Sequence, residues 1–196
     1  MKTLKVAITG GIGSGKTSVL EILKDKGYRT FNCDESANKA LKDRAVIKKI
    51  RKQFPFAVKG LLFPKIDKKA LAERVFSDEN ARKHLEMITH PYIVNDVIKC
   101  AERVGGVSFI EVPLLFEGGY QNLFDKTIVV VRDKEERIKS VIERSNLSRE
   151  ETLARMRAQV DYDKLDLSPY LVIENTGNKQ KLDQMVEVCL KSLQVE

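Results

Sequence analysis

Residues 4–17 read LKVAITGGIGSGKT. The run Leu4–Thr9 is typical of a buried strand, a glycine-rich stretch follows it at once, and an amphipathic helix is expected over residues 16–26. Gly10–Thr17 satisfies the complete pattern G-x-x-x-x-G-K-[ST], and the strand before it and the helix after it are the context that this pattern requires. A plain glycine-rich turn is the other interpretation. We predict a phosphate-binding loop, or P-loop.

Each residue type in this loop has a chemical reason. Phosphate oxygens need several backbone N–H groups that point into one concavity, and glycine permits the dihedral angles and the close approach. The helix that follows adds its positive N-terminal end. Lys16 is expected to reach the β- and γ-phosphates, and the Thr17 hydroxyl to bind Mg²⁺. The residues predicted to bind nucleotide here are Gly11, Ile12, Gly13, Ser14, Gly15, Lys16, Thr17 and Ser18.

The rest of the chain predicts an α/β fold. Further strands are expected over 28–31, 107–112, 127–131 and 171–174, and the apolar run at 127–131 is typical of a central parallel strand. Between the second and third strands the pattern is helical, with one helix expected to end near the His90-Pro91 step and another over 93–103. Together these patterns predict about five parallel strands with a helical insertion between the second and third strands.

Composition limits the function classes. The 196 residues are 42% hydrophobic and 32% charged, which is typical of a globular protein. No apolar run approaches the ~20 residues of a membrane span, no signal peptide is apparent, and three scattered cysteines do not form a disulfide framework, so we expect a cytoplasmic protein. The net charge of +7 suits an anionic partner of either kind, nucleic acid or a small phosphorylated ligand. The short chain disfavours a helicase, and the missing Asn-Lys-x-Asp signature disfavours a GTPase, so a small-molecule kinase is favoured.

A carboxylate follows the second predicted strand. Asp34 comes three residues after the end of that strand, and ligands of open parallel sheets gather beyond the carboxyl ends of the strands. We therefore expect Asp34 to face the γ-phosphate, where a carboxylate can orient a hydroxyl and take its proton or hold a metal-bound water. An N-cap role in the next helix is the alternative, and both roles can hold together.

Five motifs in order resemble those of the dephospho-CoA kinase family, and the resemblance covers nearly the whole chain. They are TGGIGSGKT at 9–17, NCDESAN at 32–38, LE with HP at 85–91, PLLFE at 113–117 and IENTG at 173–177. The resemblance implies a P-loop kinase with a three-layer α/β/α architecture. It implies a nucleotide-binding core of residues 1–34, 105–133 and 168–196, a helical insertion over 35–104 that binds the CoA substrate, and a helical lid over 134–167.

The resemblance also implies a reaction and its residues. Family members transfer the γ-phosphate of ATP, with Mg²⁺, to the ribose 3′-hydroxyl of dephospho-CoA in the last step of CoA biosynthesis. A small-molecule substrate is thus expected, with neither nucleic acid nor membrane as partner, and the oligomeric state stays open. The catalytic residues implied are Asp34 as base, Lys16, Arg144 and Arg155. The implied substrate contacts are Asp34, Lys39, His90, Leu115 and Glu117, and Asn175 is expected at the nucleotide.

Some of these assignments have alternatives. Each lid arginine can instead lie on a solvated helix face, and His90 can serve a structural turn. The chain departs from the family pattern at Asn32 and Asn38, which stand where the family has Asp and Arg.

The lid segment departs too: one arginine is missing at Ser140 and one is gained at Arg137. Two other functions stay open, a related kinase that acts on a nucleoside or nucleotide, and a nucleic-acid-dependent ATPase or switch. The basic run Lys48–Lys52 supports the latter, although such runs are usually solvated helix faces.

Overall fold

The computed structural model describes residues 3–194, and for Asp34 and Glu35 it describes the backbone without the side chain. The chain divides into two compact units. The first comprises the residues up to Phe31 and from Ala101 onward, and the second comprises Asn32–Cys100. None of the helices within 3–194 is long and apolar enough to cross a membrane.

The strands form two sheets. They are β1 (Leu4–Thr9), β2 (Arg29–Phe31), β3 (Val58–Lys59), β4 (Lys65–Ile66), β5 (Val107–Glu111), β6 (Lys126–Val131) and β7 (Leu171–Glu174). The first unit holds a five-stranded sheet in the order β2-β5-β1-β6-β7, with every pairing parallel. The second unit holds the short antiparallel pair β3-β4.

Helices account for most of the remaining chain. They are α1 (Lys16–Asp25), α2 (Cys33–Ala40), α3 (Arg44–Gln53), α4 (Lys68–Ser77), α5 (Glu79–Val104), α6 (Lys134–Ser145), α7 (Arg149–Arg157) and α8 (Lys179–Ser192). Several begin at residue types that commonly cap helices. Asp67 and Asp133 accept hydrogen bonds from the first turns of α4 and α6, and Ser148 with Glu151 forms a capping box.

The central strands β1 and β6 of the first unit's sheet are mostly apolar, and helices cover them. Val6, Ile8 and Val130 are fully buried, and they pack in one cluster with Leu23 of α1 and Val186 of α8. A parallel sheet that is apolar on both faces requires such cover. The predicted three-layer α/β/α fold with about five parallel strands is confirmed.

The second unit is mainly helical, as predicted, but two details differ from the sequence prediction. The pair β3-β4 forms a small hairpin that the sequence analysis did not predict. The predicted end of a helix near Pro91 is wrong, because α5 continues through this proline. Pro91 removes one backbone N–H donor, yet Ile88 before it and Tyr92 and Ile93 after it pack against the same apolar cluster. This packing holds the helix together across the missing hydrogen bond.

The parallel order of the strands places the functional loops at one edge. β1 leads into the glycine-rich loop, and β7 leads into Asn175, whose backbone N–H donates to the Val131 carbonyl at the end of β6 over 2.8 Å. The carboxyl ends of β1, β6 and β7 therefore meet where ligands of open α/β sheets bind.

Candidate active site

The glycine-rich loop between β1 and α1 has a shape that side chains would prevent. Gly13 and Gly15 have φ angles of +78° and +93°, in the left-handed region that favours glycine. A Cβ atom at Gly13 would lie 2.6 Å from the backbone oxygen of Arg137, and one at Gly15 would collide with the side-chain amide of Asn175. The two glycines let neighbouring groups approach the loop closely and leave its concave side lined by backbone.

Asn175 supports this loop from the neighbouring strand end. Its Nδ2 donates to the Ser14 carbonyl over 2.9 Å, and its Oδ1 accepts from the Gly177 N–H over 2.9 Å. The residue is 6% exposed, so both bonds are shielded from water. Asn175, which is predicted at the nucleotide, thus has a side chain that is bonded to the P-loop.

Lys16 turns back onto the loop. Its Nζ donates to the carbonyl oxygens of Gly10 at 2.8 Å and Gly11 at 3.1 Å. Burial lowers the pKa of Lys16 to about 8, with the nearby charges of Arg144 and Arg137 acting in the same direction and those of Glu111 and Glu117 opposing it. Three cationic side chains thus converge on the loop, which is the electrostatic environment that a polyphosphate needs.

Arg137 is the most buried of these arginines. It lies on α6, is 5% exposed, and its Nη2 donates to both carboxylate oxygens of Asp163 at 3.0 and 3.2 Å. Its Nη1 would be 2.5 Å from a Cβ at Gly11, so the guanidinium lies directly beside the loop. Within the described part of the chain, its Nε has no hydrogen-bond partner. The arginine that the sequence analysis noted as gained is therefore a component of the site.

The segment after α7 closes on the same loop. The Gln159 Oε1 accepts from the Ile12 N–H over 2.8 Å, and the Tyr162 hydroxyl lies 3.1 Å from the buried Thr9 hydroxyl. Burial raises the pKa of Tyr162 to about 12, so this hydroxyl stays protonated at neutral pH. Sequence reasoning did not find Gln159, Tyr162 or Asp163, because no motif marks them and their partners are remote in sequence.

Two residues of the PLLFE motif lie in this part of the first unit. Glu117 is exposed, and its Oε1 accepts from the Val160 N–H over 2.9 Å, which ties the motif to the segment after α7. Leu115 is fully buried in the core. The structure therefore gives no support to the predicted substrate contact of Leu115.

The remaining predicted residues of the first unit are more exposed. Thr17 and Ser18 lie exposed in the first turn of α1. Arg144 is exposed near the end of α6, and its charge reaches Lys16. Arg155 lies half-buried on α7, where its charge acts on Glu151 of the same helix.

The predicted substrate residues of the second unit lie on α2 and α5. Lys39 pairs with Asp96 at 3.3 Å, and the Ser36 hydroxyl donates to the same carboxylate oxygen at 2.7 Å. His90 is half-buried, and burial lowers its pKa, which favours the neutral imidazole. Asp34 lies in the first turn of α2, and its side chain is outside the described part of the structure.

An open cleft of about 430 Å³ borders the loop. Its lining includes Ser18, Glu21 and Asp25 of α1, Asn175 and Gly177 after β7, and Arg132. Among the described residues no group of three or more His, Cys, Asp or Glu side chains is placed to hold a metal ion. The loop itself offers backbone amides, cations and a hydroxyl, which are groups suited to phosphate.

A P-loop at the edge of a parallel five-stranded sheet, with cations converging on it, defines a P-loop nucleotide-binding protein. The fold is shared with a shikimate kinase from Bacteroides thetaiotaomicron, which is 11% identical with a TM-score of 0.54 and covers 98% of this chain and 99% of that one. Residues 4–181 match the sequence model of the family described as Dephospho-CoA kinase. The chain belongs to the dephospho-CoA kinase family.

Curated relatives and solved structures agree with this membership. A dephospho-CoA kinase of Thermus thermophilus is 36% identical over 189 residues, which are 96% of this chain and 91% of that protein. A crystal structure from Thermus thermophilus superimposes with a TM-score of 0.79 at 36% identity, covering 98% and 99% of the two chains. A dephospho-CoA kinase structure from Campylobacter jejuni gives 0.65 at 30% identity, covering 97% of each chain. The prediction of an ATP-dependent kinase is confirmed at the level of the family.

Proposed function

We propose that this chain transfers the γ-phosphate of ATP to the ribose 3′-hydroxyl of dephospho-CoA and so forms coenzyme A. The observation that carries the proposal is the similarity over nearly the full chain to proteins named dephospho-CoA kinase, whose glycine-rich motif forms the cationic loop described above. Free thiols at Cys100 and Cys189 fit a reducing compartment, and we place the activity in the cytoplasm.

The loop binds the phosphates of ATP. Backbone N–H groups of Gly13 and Gly15 face the phosphate oxygens, and Lys16 exchanges its two carbonyl partners for the β- and γ-phosphates. The cleft beside Asn175 and Gly177 takes the nucleoside, since it adjoins the loop and is roomy enough at about 430 Å³. The backbone N–H groups of the loop and the Lys16 ammonium are thus the first contacts of the phosphates.

Thr17 holds Mg²⁺ together with phosphate oxygens. Its hydroxyl is exposed in the turn after Lys16, and the described residues contain no carboxylate group built to bind a metal by itself. When bound, Mg²⁺ neutralises charge on the phosphates. The protein's own contribution at this position is a single neutral oxygen ligand, so metal and nucleotide bind together.

Arginines neutralise the charge of the transferred phosphoryl group. Arg137 is already beside Gly11, and Arg144 acts on Lys16 from the same helix. In the described state Asp163 holds the Arg137 guanidinium, and a γ-phosphate offers it the same bidentate geometry with more charge. The catalytic effect of such a guanidinium is large because the site is shielded from water. The structure supports this role less for Arg155 than for Arg137, because the charge of Arg155 acts on Glu151 of its own helix.

Asp34 is the base. β2 and β1 both run parallel to β5, so their carboxyl ends share the edge from which the P-loop emerges, and Asp34 follows β2 by three residues. This strand order supports a carboxylate that orients the ribose hydroxyl and takes its proton. Lys39 and His90 are the substrate contacts of the second unit, with Lys39 drawn to the diphosphate of dephospho-CoA.

The segment 134–167 acts as the lid. Gln159 already bonds to Ile12, and Glu117 to Val160, so the segment after α7 meets the loop that it has to cover. Closure of this segment excludes water from the phosphates, which favours transfer to the hydroxyl over hydrolysis.

The test is a coupled ADP-release assay with ATP, Mg²⁺ and dephospho-CoA, run beside adenosine, AMP and CMP as acceptors. We expect turnover that depends on dephospho-CoA and a product heavier by one phosphate, with Lys16→Met as the inactive control. Turnover with a nucleoside or nucleotide instead would keep the kinase class and reject this substrate. It would mark Asn32, Asn38 and Ser140 as signs of a changed acceptor. Turnover that requires DNA or RNA would reject the proposal altogether.

A further inference from the structure

One segment of the second unit carries the whole net charge of the chain. Residues 42–69, which we call the basic segment, contain ten Lys or Arg and two Asp, a net charge of +8 against +7 for all 196 residues. The segment comprises α3, the hairpin β3-β4 and the start of α4. Lys48, Lys49 and Lys52 lie exposed on α3, so this charge faces solvent.

The tip of the hairpin is apolar and exposed. Leu61, Leu62 and Phe63 form the turn between β3 and β4, and they are 88%, 85% and 76% exposed. Isolated exposed apolar residues are ordinary, but three consecutive large ones at a protruding turn need a partner. The apolar tip therefore lies within the same segment as the charge.

The hairpin holds this tip in a fixed shape. Phe54 and Ala57 before it are buried in the core of the second unit, and the Asp67 N–H donates to the Ala57 carbonyl over 2.8 Å. The Arg51 guanidinium donates to the carbonyl of Gly60 at the start of the turn. The tip is thus a convex projection with an anchored base.

Cations surround a small cleft at the tip. Lys42, Arg44 and Lys65 line a cleft of about 130 Å³ together with Leu62 and Phe63, and all three cations are exposed. This combination suits an anionic oxygen group beside an apolar body.

The two acidic residues of the segment are engaged elsewhere. Asp43 accepts from the backbone N–H groups of Ala45 and Val46, and Asp67 caps α4 and pairs with Lys59 at 2.6 Å. The cations of the cleft are therefore available to an external anion.

We propose that the basic segment docks this protein reversibly on an anionic lipid bilayer. Leu61, Leu62 and Phe63 enter the interface, and the surrounding cations bind the phosphate headgroups. An apolar face with clustered lysines is the composition that binds such surfaces. A two-fold contact between copies would bring +8 against +8. Nucleic acid offers no apolar environment for two exposed leucines.

The experiment is flotation of the full chain with vesicles. One set is phosphatidylcholine alone and the other is phosphatidylcholine mixed with phosphatidylglycerol. We expect binding to the mixed vesicles, at least about tenfold weaker binding to phosphatidylcholine, and release as NaCl rises from about 0.1 M to about 0.5 M. Binding that is equal on both vesicle types, or absent from both, would overturn the proposal.

Two variants separate the contributions, and each has a matched control. Leu62→Asp removes the apolar contact, with Phe76→Asp as control, since Phe76 is 80% exposed, lies outside the basic segment and receives the same added charge. The charge variant replaces Lys48, Lys49 and Lys52 by Glu, and its control replaces the exposed Lys126, Lys181 and Lys191 by Glu. We expect both test variants to lose binding at least about tenfold and both controls to keep it. Thermal unfolding verifies that all four variants fold.

A second copy of the chain or a nucleic acid at this surface would give a different result. If Leu62→Asp dissolves a dimer seen in light scattering and no vesicle binds, the surface is an interface between copies and the proposal fails. If the charge variant abolishes binding of a labelled oligonucleotide while vesicles never bind, the partner is nucleic acid and the proposal also fails. Vesicle binding that survives Leu62→Asp would be purely electrostatic and would refute insertion of the tip.

Discussion

The side-chain amide of Asn175 donates to the Ser14 carbonyl over 2.9 Å, although the two residues are 161 positions apart. This bond joins the end of the last strand of the sheet to the middle of the P-loop. Because both groups are buried, removing either one leaves a polar atom without a partner.

Asn175→Ala is expected to weaken nucleotide binding and stability together. The change removes two hydrogen bonds and leaves the Ser14 carbonyl unsatisfied, at a cost of about 1–3 kcal/mol. We expect a lower midpoint of thermal unfolding and a KM for ATP raised several-fold. The control is Asp43→Ala, which removes the N-cap of α3 in the second unit. It should lower stability by ~1 kcal/mol and leave the KM unchanged. An unchanged KM in Asn175→Ala would contradict the positioning role.

Arg137→Gln is expected to lower kcat at least ~10²-fold, because an arginine beside the loop stabilises charge in the transition state. Steady-state kinetics at saturating ATP measure this. The exposed Arg103→Gln on α5 is the control and should stay within a factor of about two. Adding Ser140→Arg to Arg137→Gln places a guanidinium one turn further along α6 and should restore part of the rate. A drop confined to the KM for ATP would mean that Arg137 acts in binding alone.

ATP binding is expected to take up a proton at alkaline pH. With a pKa of about 8, Lys16 is mostly neutral in the empty site at pH 8.5. Polyphosphate favours the ammonium and raises this pKa, so affinity falls as the pH rises above 8. Calorimetry in two buffers of different ionisation enthalpy at pH 8.5 measures the uptake. It should vanish in Lys16→Met, and equal heats in both buffers for the unmodified protein would show that Lys16 is already charged.

Gln159→Ala is expected to tighten ATP binding. Gln159 occupies the Ile12 N–H in the described state, and a phosphate oxygen has to displace it. Without this competitor the affinity should rise by up to about tenfold, the equivalent of one hydrogen bond. Equilibrium titration with a non-hydrolysable ATP analogue measures it. Weaker binding would instead assign Gln159 to the nucleotide-bound state.

Asp34→Ala is expected to fold and bind ATP but to lose phosphotransfer at least ~10²-fold, because a general base contributes about this much. The assay is the same coupled ADP release, with ATP affinity measured separately. Glu35→Ala, the neighbouring carboxylate, is the matched control. Near-normal turnover in Asp34→Ala would show that Asp34 is not the base. It would leave this residue only a structural role at the start of α2.

Local sequence predicts most of this fold. The apolar run of β6 identifies a central strand, and Asp133, Ser148 and Asn178 begin the helices where a capping residue should. These signals involve residues at most four apart. The predicted helix end at Pro91 is wrong because apolar contacts outweigh the hydrogen bond that this proline removes, and a local helix pattern does not reveal those contacts.

The active site is harder to predict from the sequence because the residues that contact the P-loop are distant from it in the chain. Gln159 meets Ile12 across 147 positions, and Tyr162 meets Thr9 across 153. No spacing rule relates such pairs. Arg137 was noticed as a departure from the family pattern, but its burial against Asp163 follows only from the packing of α6 on the loop.

The glycine contacts show that the octapeptide of the P-loop is not a portable module. Its shape depends on Asn175 filling the space beside Gly15 and on the Arg137 backbone filling the space beside Gly13, and neither group belongs to the octapeptide. Grafting residues 10–17 onto another strand–helix turn would transfer the backbone N–H donors without the neighbouring groups that fix their directions. A successful transplant would also have to carry the end of β7 and the first turn of α6.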